Sequence, residues 1–157
     1  MKPRTPEPAM VIALAALFMA AGAANAATYP VDDAASLPGR STVSMKWRTA
    51  GPARVGGNML DGATEVTLIL NTAPWLGRTG RLYMKLDEPP VGPVQVEWST
   101  QGRLLAGVLT PGARALVYVG PIRARQLTDT LFVKVHADGR RLGSEQQLHF
   151  QFEIDVD

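Results

Sequence analysis

The sequence predicts an all-β fold, an immunoglobulin-like antiparallel β-sandwich of about seven to eight strands. Three observations predict it: apolar and polar residues alternate in short runs, turn residues separate the runs, and no segment keeps a helical apolar stripe over three turns. Alternation indicates half-buried strands, because successive side chains of a strand point to opposite faces. A small closed barrel is the alternative arrangement of the same strands.

The C-terminal segment Gln147–Asp157 is the most regular of the predicted strands. Apolar and polar residues alternate along its whole length, so its apolar side chains share one face. Full burial of one such side chain is worth roughly 1.5–3 kcal/mol, and burial of the set on the order of 10 kcal/mol, comparable to the net stability of a domain. Either the protein's own sheets or a strand of another chain must therefore cover this face. Its apolar residues are Leu148, Phe150, Phe152, Ile154 and Val156.

Seven further alternating runs precede this strand, with turn residues between them at a spacing typical of a sandwich. Residues 50–62 are rich in Gly and Pro and predict a loop. Gly120–Asp129 predicts a solvated loop or an edge strand, in which Arg123 and Arg125 discourage pairing with other chains. The seven predicted strands are 43–48, 66–71, 82–86, 94–99, 104–109, 115–119 and 131–135.

The three tryptophans fall in two kinds of sequence. Trp47 and Trp98 continue the apolar faces of their strands, which predicts that both lie in the core. Trp75 instead lies in Asn71–Arg78, a polar, turn-rich link between two strands. It either covers one end of the sandwich or contacts a ligand, as a stacking platform for a sugar or an anchor for another protein.

Residues 1–26 have the layout of a secretory signal peptide. A basic start precedes the uncharged run Met10–Ala21, and Ala24 and Ala26 form a small-x-small cleavage site. The run is shorter than the roughly 20 residues that span a bilayer. We therefore expect cleavage after Ala26, export, and no membrane span in the mature chain; an uncleaved anchor is the alternative.

The mature chain is predicted to contain a leader and one domain. Residues 27–40 contain Pro, Gly, Asp and Ser without sustained alternation, which indicates a flexible N-terminal leader. Residues 41–157 carry all the predicted strands and form the β-sandwich domain. Their length is that of a single domain.

Composition excludes several classes of function. The chain has no cysteine, so an exported domain depends on a core, a partner or both rather than on disulfides. Without residues 1–26, 14 Lys and Arg residues stand against 13 Asp and Glu residues. The basic residues form no stripe that could follow a phosphate backbone, and we predict no binding to nucleic acid.

The sequence shows no motif of catalysis or of metal binding. His136 and His149 are the only histidines, they lack metal-ligand spacing, and solvated surface positions are expected for both. No Gly-x-Ser-x-Gly motif is present. We predict a protein that is not an enzyme and that has no metal and no cofactor.

An exported, cysteine-free sandwich with a loose N-terminal arm and an apolar C-terminal strand resembles the subunits of chaperone–usher pili. The resemblance implies an incomplete sandwich whose groove is filled by the N-terminal extension of another subunit. By that resemblance, Val43, Met45 and Trp47 are the candidate donor residues.

The apolar residues of the C-terminal strand then line one side of the acceptor groove. The implied partners are other subunits, a periplasmic chaperone and an outer-membrane usher, and the implied location runs from the bacterial periplasm to the cell surface. The competing hypothesis is a self-contained periplasmic or extracellular sandwich that binds a protein or carbohydrate, with Trp75 as an anchor. The two differ in whether one chain supplies all the strands.

Overall fold

The computed structural model of the protein describes residues 27–38, 44–47, 58–86, 94–141 and 148–157. These residues form ten strands and one short 3₁₀ helix, Ala73–Trp75. The strands pair only in antiparallel fashion and belong to two sheets, which confirms the all-β fold class. The strands are β1 (Ala27–Val31), β2 (Leu37–Pro38), β3 (Lys46–Trp47), β4 (Met59–Asn71), β5 (Thr79–Leu86), β6 (Val94–Thr100), β7 (Gly107–Leu109), β8 (Arg114–Pro121), β9 (Gln126–Asp138) and β10 (Phe150–Val156).

The strand order places elements from both ends of the described chain side by side. The four-stranded sheet has the order β1-β10-β5-β8, and the six-stranded sheet has the order β2-β4-β9-β6-β7. The two-residue strand β3 pairs with the same edge of β4 as β2 does. Its partners on β4 lie six residues before the partners of β2. The edges of the sandwich are therefore β1 with β2 and β3 on one side, and β8 with β7 on the other.

The core lies between the two sheets and is built from the alternating positions that the sequence predicts. β5 buries every second residue, and β6 and β9 alternate in the same way over most of their lengths. Side chains of both sheets meet there because each sheet turns one apolar face inward. Among the fully buried apolar side chains are Leu70, Leu82, Leu86, Val96, Leu109, Val117 and Ile154.

A bulge interrupts the alternation on the edge strand β8. The pairing of β8 with β5 shifts between Leu82 and Tyr83, so that one extra residue of β8 is accommodated there. A bulge of this kind reverses the facing of the residues that follow. Val117 is fully buried, whereas Val119, two residues on, is 54% exposed.

The prediction of a leader without regular structure over 27–40 is wrong for two segments. β1 pairs with β10 over five residues, and β2 pairs with β4. The link between them passes from one sheet to the other, and Ser36 Oγ accepts a hydrogen bond of 2.9 Å from the N–H of Ile69. The sequence contained one signal: proline inside a strand is confined to edges because it cannot donate to a neighbour. Pro30, Pro38 and Pro121 all lie on edge strands.

Two predicted loops extend less far than expected. Met59–Gly62 belongs to β4, since its partners on β9 continue the ladder to Asp138. Within Gly120–Asp129, the first two residues end β8 and the last four begin β9. Asp129 is buried there, and its carboxylate accepts hydrogen bonds of 2.8 Å from the N–H of Leu104 and 2.7 Å from that of Thr130.

Candidate functional site

Both neighbours of β10 come from the same chain. β10 pairs with β5 over seven residues on one side and with β1 over five residues on the other. Its apolar residues face the core as predicted: Phe152, Ile154 and Val156 are buried, and Phe150 is partly buried against the same cluster, as is Leu148 just before the strand. A Cβ on Gly80 of β5 would lie 2.8 Å from Ile154 Cδ1, so the small residue leaves room for this packing.

β1 covers β10 mainly through its backbone. Four of its five residues are exposed, and only Val31 is buried. Among the described strands, none lies on the outer side of β1, which is at the edge of the four-stranded sheet. The strand is therefore held by a short ladder of hydrogen bonds and one buried side chain, whereas the apolar face beneath it is part of the core.

A polar contact on the outer face of the sheet also holds β1. Thr28 Oγ1 donates a hydrogen bond of 2.5 Å to Asp155 Oδ1, and Arg114 Nη2 donates one of 3.1 Å to Asp155 Oδ2. Asp155 is buried although it belongs to the polar side of β10. The hydrogen bond from Thr28, followed by the bond and charge of Arg114, holds the pKa of Asp155 below its ordinary value.

Arg114 joins three strands on this face. Its guanidinium lies 4.1 Å from the centroid of the Tyr83 ring on β5, and it also reaches Glu153 of β10 at 3.9 Å. Lys85 lies 3.8 Å from the same carboxylate. Exposed ion pairs are worth little singly. The contact of Arg114 with Asp155 is the shortest ion pair of the network, and Asp155 is buried.

Of the three predicted donor residues, only Trp47 lies in a described strand, and that strand does not pair with β10. Val43 lies outside the described residues. Met45 is partly buried against the core cluster. Trp47 follows in β3, which pairs with β4 in the other sheet.

The prediction that Trp47 lies in the core is wrong, since it is 53% exposed. Its ring lies over Gly139, where a Cβ would be 2.6 Å from Trp47 Cη2. The two-residue strand sits at a sheet edge, so its alternation does not direct the indole between the sheets. Trp98 does lie in the core, and its Nε1 donates a hydrogen bond of 2.8 Å to the carbonyl of Leu105.

Trp75 lies in the 3₁₀ helix at one end of the sandwich and is only 8% exposed. It belongs to the core cluster, and its ring centroid is 6.1 Å from that of Tyr29 on β1. This placement matches the covering role that the sequence left open. A sugar that stacks on Trp75 would first have to displace its neighbours.

His136 is not the solvated histidine that the sequence predicts. Its side chain is mostly buried, with Nδ1 2.7 Å from Asp61 Oδ1 and Nε2 3.6 Å from Glu97 Oε2. β9 lies between β4 and β6, so its neighbours bring the two carboxylates to one imidazole. His149 is exposed, as expected. Within the described residues, no group of three or more His, Cys, Asp or Glu side chains is arranged to hold a metal ion.

Two open clefts lie where loops meet at one end of the sandwich. One, of about 310 Å³, is lined by residues that include Arg103, Tyr118 and Arg123. The other, of about 420 Å³, is lined by Asp32 and Arg125 among others. In the described ranges, no helix has the length and apolar character needed to cross a membrane.

Comparison with known proteins gives no assignment. The chain matches no protein-family model, and no curated protein or solved structure is significantly similar to it. The function is therefore inferred from the pairing and burial described above.

Proposed function

We propose that the protein is an exported structural subunit of a surface fibre, of the pilus type, which assembles by β-strand addition. In the fibre, the strand beside β10 comes from another copy or another subunit. The observation that carries the proposal is the origin of the strand that covers β10: it is β1, from the N-terminal side of the domain.

The order of the strands explains why it matters that β1 covers β10. An immunoglobulin constant domain has strands A, B, E and D in one sheet and C, F and G in the other. Here β2-β4-β9-β6 follows the order of the first sheet, and β10-β5 follows the order F-C of the second. The place of strand G, beside F, is occupied by β1 and not by a strand that follows β10. β7 and β8, inserted between β6 and β9, are the departure from that order.

The energetics favour exchange of β1 over exchange of any strand inside a sheet. Replacement of β1 by the same segment of another copy restores its hydrogen bonds and reburies Val31, so the net cost is small. The link of residues 32–36 is short, and its opening would release β1 while the core strands stay paired. Addition of a strand to a sheet edge is a common mode of recognition between chains.

The proposal moves the donor segment from Val43, Met45 and Trp47 to Ala27–Val31. Lys46–Trp47 pairs with β4 in the other sheet and cannot cover β10 without leaving it. The acceptor residues stay as predicted, on the inward face of β10. A periplasmic chaperone would cover β10 before the exchange, and an outer-membrane usher is the other expected partner.

Cysteine cross-linking tests the exchange directly, because the chain has no cysteine of its own. Pro30 and Glu153 are cross-strand partners in the β1–β10 ladder. Such partners have Cα atoms about 4.5–5.5 Å apart, within the range that a disulfide bridges. Co-expression of the single variants Pro30→Cys and Glu153→Cys in one periplasm should give disulfide-linked chains on a non-reducing gel.

A matched control uses partners inside the other sheet. Ala63 and Lys134 face each other across β4 and β9, and both are exposed. The single variants Ala63→Cys and Lys134→Cys, co-expressed, should give no linked chains because these strands do not exchange. If Pro30→Cys with Glu153→Cys behaves like this control, while one chain carrying both changes closes an internal disulfide, the exchange proposal fails.

A self-contained binding module in the periplasm or outside the cell is the second candidate. The observation that favours it is that every described core strand, β10 included, is paired within one chain. In such a module, Trp75 was the residue predicted to contact a carbohydrate. Its buried position argues against that contact. The failed cross-link described above, together with a monomer in solution, would favour this candidate.

A further inference from the structure

We propose that the smaller of the two clefts at the end of the sandwich is a binding site for a small anion, recognised through a carboxylate or a phosphate group. Arg103 and Arg123 are the residues that bind this group. None of the residues that line the cleft belongs to β1 or β10, so the site does not depend on strand exchange. It goes beyond the proposed function, because it assigns a ligand to a surface that the exchange does not use.

The cleft lies where four segments of the chain meet. Thr72 follows β4, Arg103 lies in the link between β6 and β7, and Tyr118 belongs to β8, while the other lining residues lie between positions 122 and 128. Its volume is about 310 Å³, at the lower end of the range for small-molecule sites. The cleft therefore suits a compact ligand, of about the size of a single sugar ring.

The charged residues that line the cleft are all basic. Arg103 and Arg123 are exposed, and none of the described lining residues is acidic. In the described part of the chain, neither guanidinium has an ion pair with a carboxylate. The neighbouring cleft differs, because Arg125 is accompanied there by Asp32. A concave site with charge of one sign attracts a ligand of the opposite sign.

A carboxylate below the link that carries Arg103 is already in use. Asp129 Oδ1 lies 2.7 Å from the position that a Cβ on Gly102 would take. Asp129 is buried, and its carboxylate accepts hydrogen bonds of 2.8 Å from the N–H of Leu104 and 2.7 Å from that of Thr130. This carboxylate therefore holds the backbone next to Arg103 in place, and it is not among the groups that line the cleft.

The backbone on both sides of Arg123 is also held. Before it, the buried Ile122 donates its N–H to the carbonyl of Arg78 at 2.8 Å. After it, the carbonyl of Ala124 accepts a hydrogen bond of 2.8 Å from Thr72 Oγ1. A site whose backbone is ordered before the ligand arrives loses less conformational freedom on binding.

The donors in the cleft match a carboxylate or a phosphate. A guanidinium is a planar fork that binds either group through two parallel N–H···O bonds. Gln126 and Thr128 also line the cleft and offer an amide and a hydroxyl to the neutral part of a ligand. Tyr118 offers its ring, since its hydroxyl donates to the carbonyl of Pro121 at 2.9 Å. The set favours a compact polar anion over a neutral or a cationic ligand.

NMR titration of the purified protein, expressed from the full-length gene, tests the site. Inorganic phosphate, glucuronate or glucose is added at constant ionic strength, and the backbone amide shifts are followed. Phosphate or glucuronate should shift the amides of Arg103 and Arg123 in a saturable way. Glucose should not, because it has the ring of glucuronate without the carboxylate. The tighter of the two anions identifies the preferred group.

Substitution of the arginines gives the quantitative part of the test. Arg103→Gln and Arg123→Gln should each weaken binding of the anion by about ten-fold, because hydrogen bonds between ionised groups are stronger than neutral ones. The matched control is Arg141→Gln, which also removes one positive charge from an exposed position. Arg141 follows the end of β9 that is remote from the cleft, so this variant should bind as the wild type does.

Three outcomes would overturn the proposal: no saturable shift with either anion, an equal response to glucose, or a loss in Arg141→Gln as large as that in the two cleft variants. The last outcome would mean that only the net charge of the protein attracts the anion. Pro30 and Glu153 do not line the cleft. Failure of anion binding and failure of strand exchange are therefore distinguishable.

Discussion

β10 has one neighbour on each side, and the two are held in different ways. β5 pairs with β10 over seven residues, buries every second side chain, and is itself enclosed by β8. β1 pairs with β10 over five residues, buries only Val31, and is the last of the described strands on its side of the sheet. Both ladders are antiparallel and use the same kind of hydrogen bond.

The comparison separates pairing from burial as sources of stability. A backbone hydrogen bond contributes about 1 kcal/mol of net free energy, since water also bonds the unfolded chain, whereas a fully buried apolar side chain contributes about 1.5–3 kcal/mol. β5 is therefore part of the core that defines the domain. β1 is a cover that another chain with the same segment could supply.

Of the two neighbours of β10, the larger effect is expected on the β5 side. Leu82→Ala, at a fully buried position facing Ile154, should lower the free energy of unfolding by about 2–5 kcal/mol. Chemical denaturation measures the loss. A loss in the free energy of unfolding below about 1 kcal/mol would contradict the assignment of β5 to the core.

A smaller effect is expected from the one buried residue of β1. Val31→Ala removes two methyl groups and should cost about 1–2 kcal/mol. Native-state hydrogen exchange should show faster opening of β1 amides than of β5 amides in the wild type, and the substitution should widen the difference. Equal protection of both strands would show that β1 does not open separately.

The contact between Thr28 and Asp155 should contribute less. Thr28→Val removes the hydrogen bond and should lower stability by about 1 kcal/mol at neutral pH. The pKa of Asp155 is lower in the folded protein, so its contribution is fully present above the pKa of the unfolded carboxyl, about 3.9, and is lost as the pH falls below it.

The stability difference between wild type and Thr28→Val should accordingly shrink from pH 7 to acid pH. Ser36→Ala, which removes a hydroxyl from the link but leaves Asp155 untouched, is the control and should show no such trend. If the stability difference between wild type and Thr28→Val stays constant with pH, Asp155 does not help to hold β1.

The smallest effect is expected from the aromatic pair at the end of the sandwich. Tyr29→Ala removes a tilted ring contact with Trp75, and because Tyr29 is exposed the cost should be about 0.5 kcal/mol. Trp75→Ala, at a buried position, should cost about 3–5 kcal/mol. Comparable losses for the two would mean that Tyr29, and with it β1, is held more firmly than its exposure indicates.

The strands with regular alternation could be predicted from the sequence, but which strands lie beside one another could not. Leu82, Val96 and Ile154 face the core as their alternation predicts. Trp47 follows the same rule in sequence, but β3 is only two residues long and lies at an edge, and the indole is 53% exposed. The His136 pairing was equally hidden, because its two carboxylates come from neighbouring strands.

What the sequence determined by itself is the set of strands and the side of each that is apolar. Successive residues of a strand point to opposite faces, so this information is local and survives in any arrangement of the sheets. The tertiary structure alone decided that Ala27–Val31 lies beside β10 and that a bulge reverses β8. Backbone hydrogen bonds are the same for almost every residue, so a sequence carries little record of which strand occupies an edge.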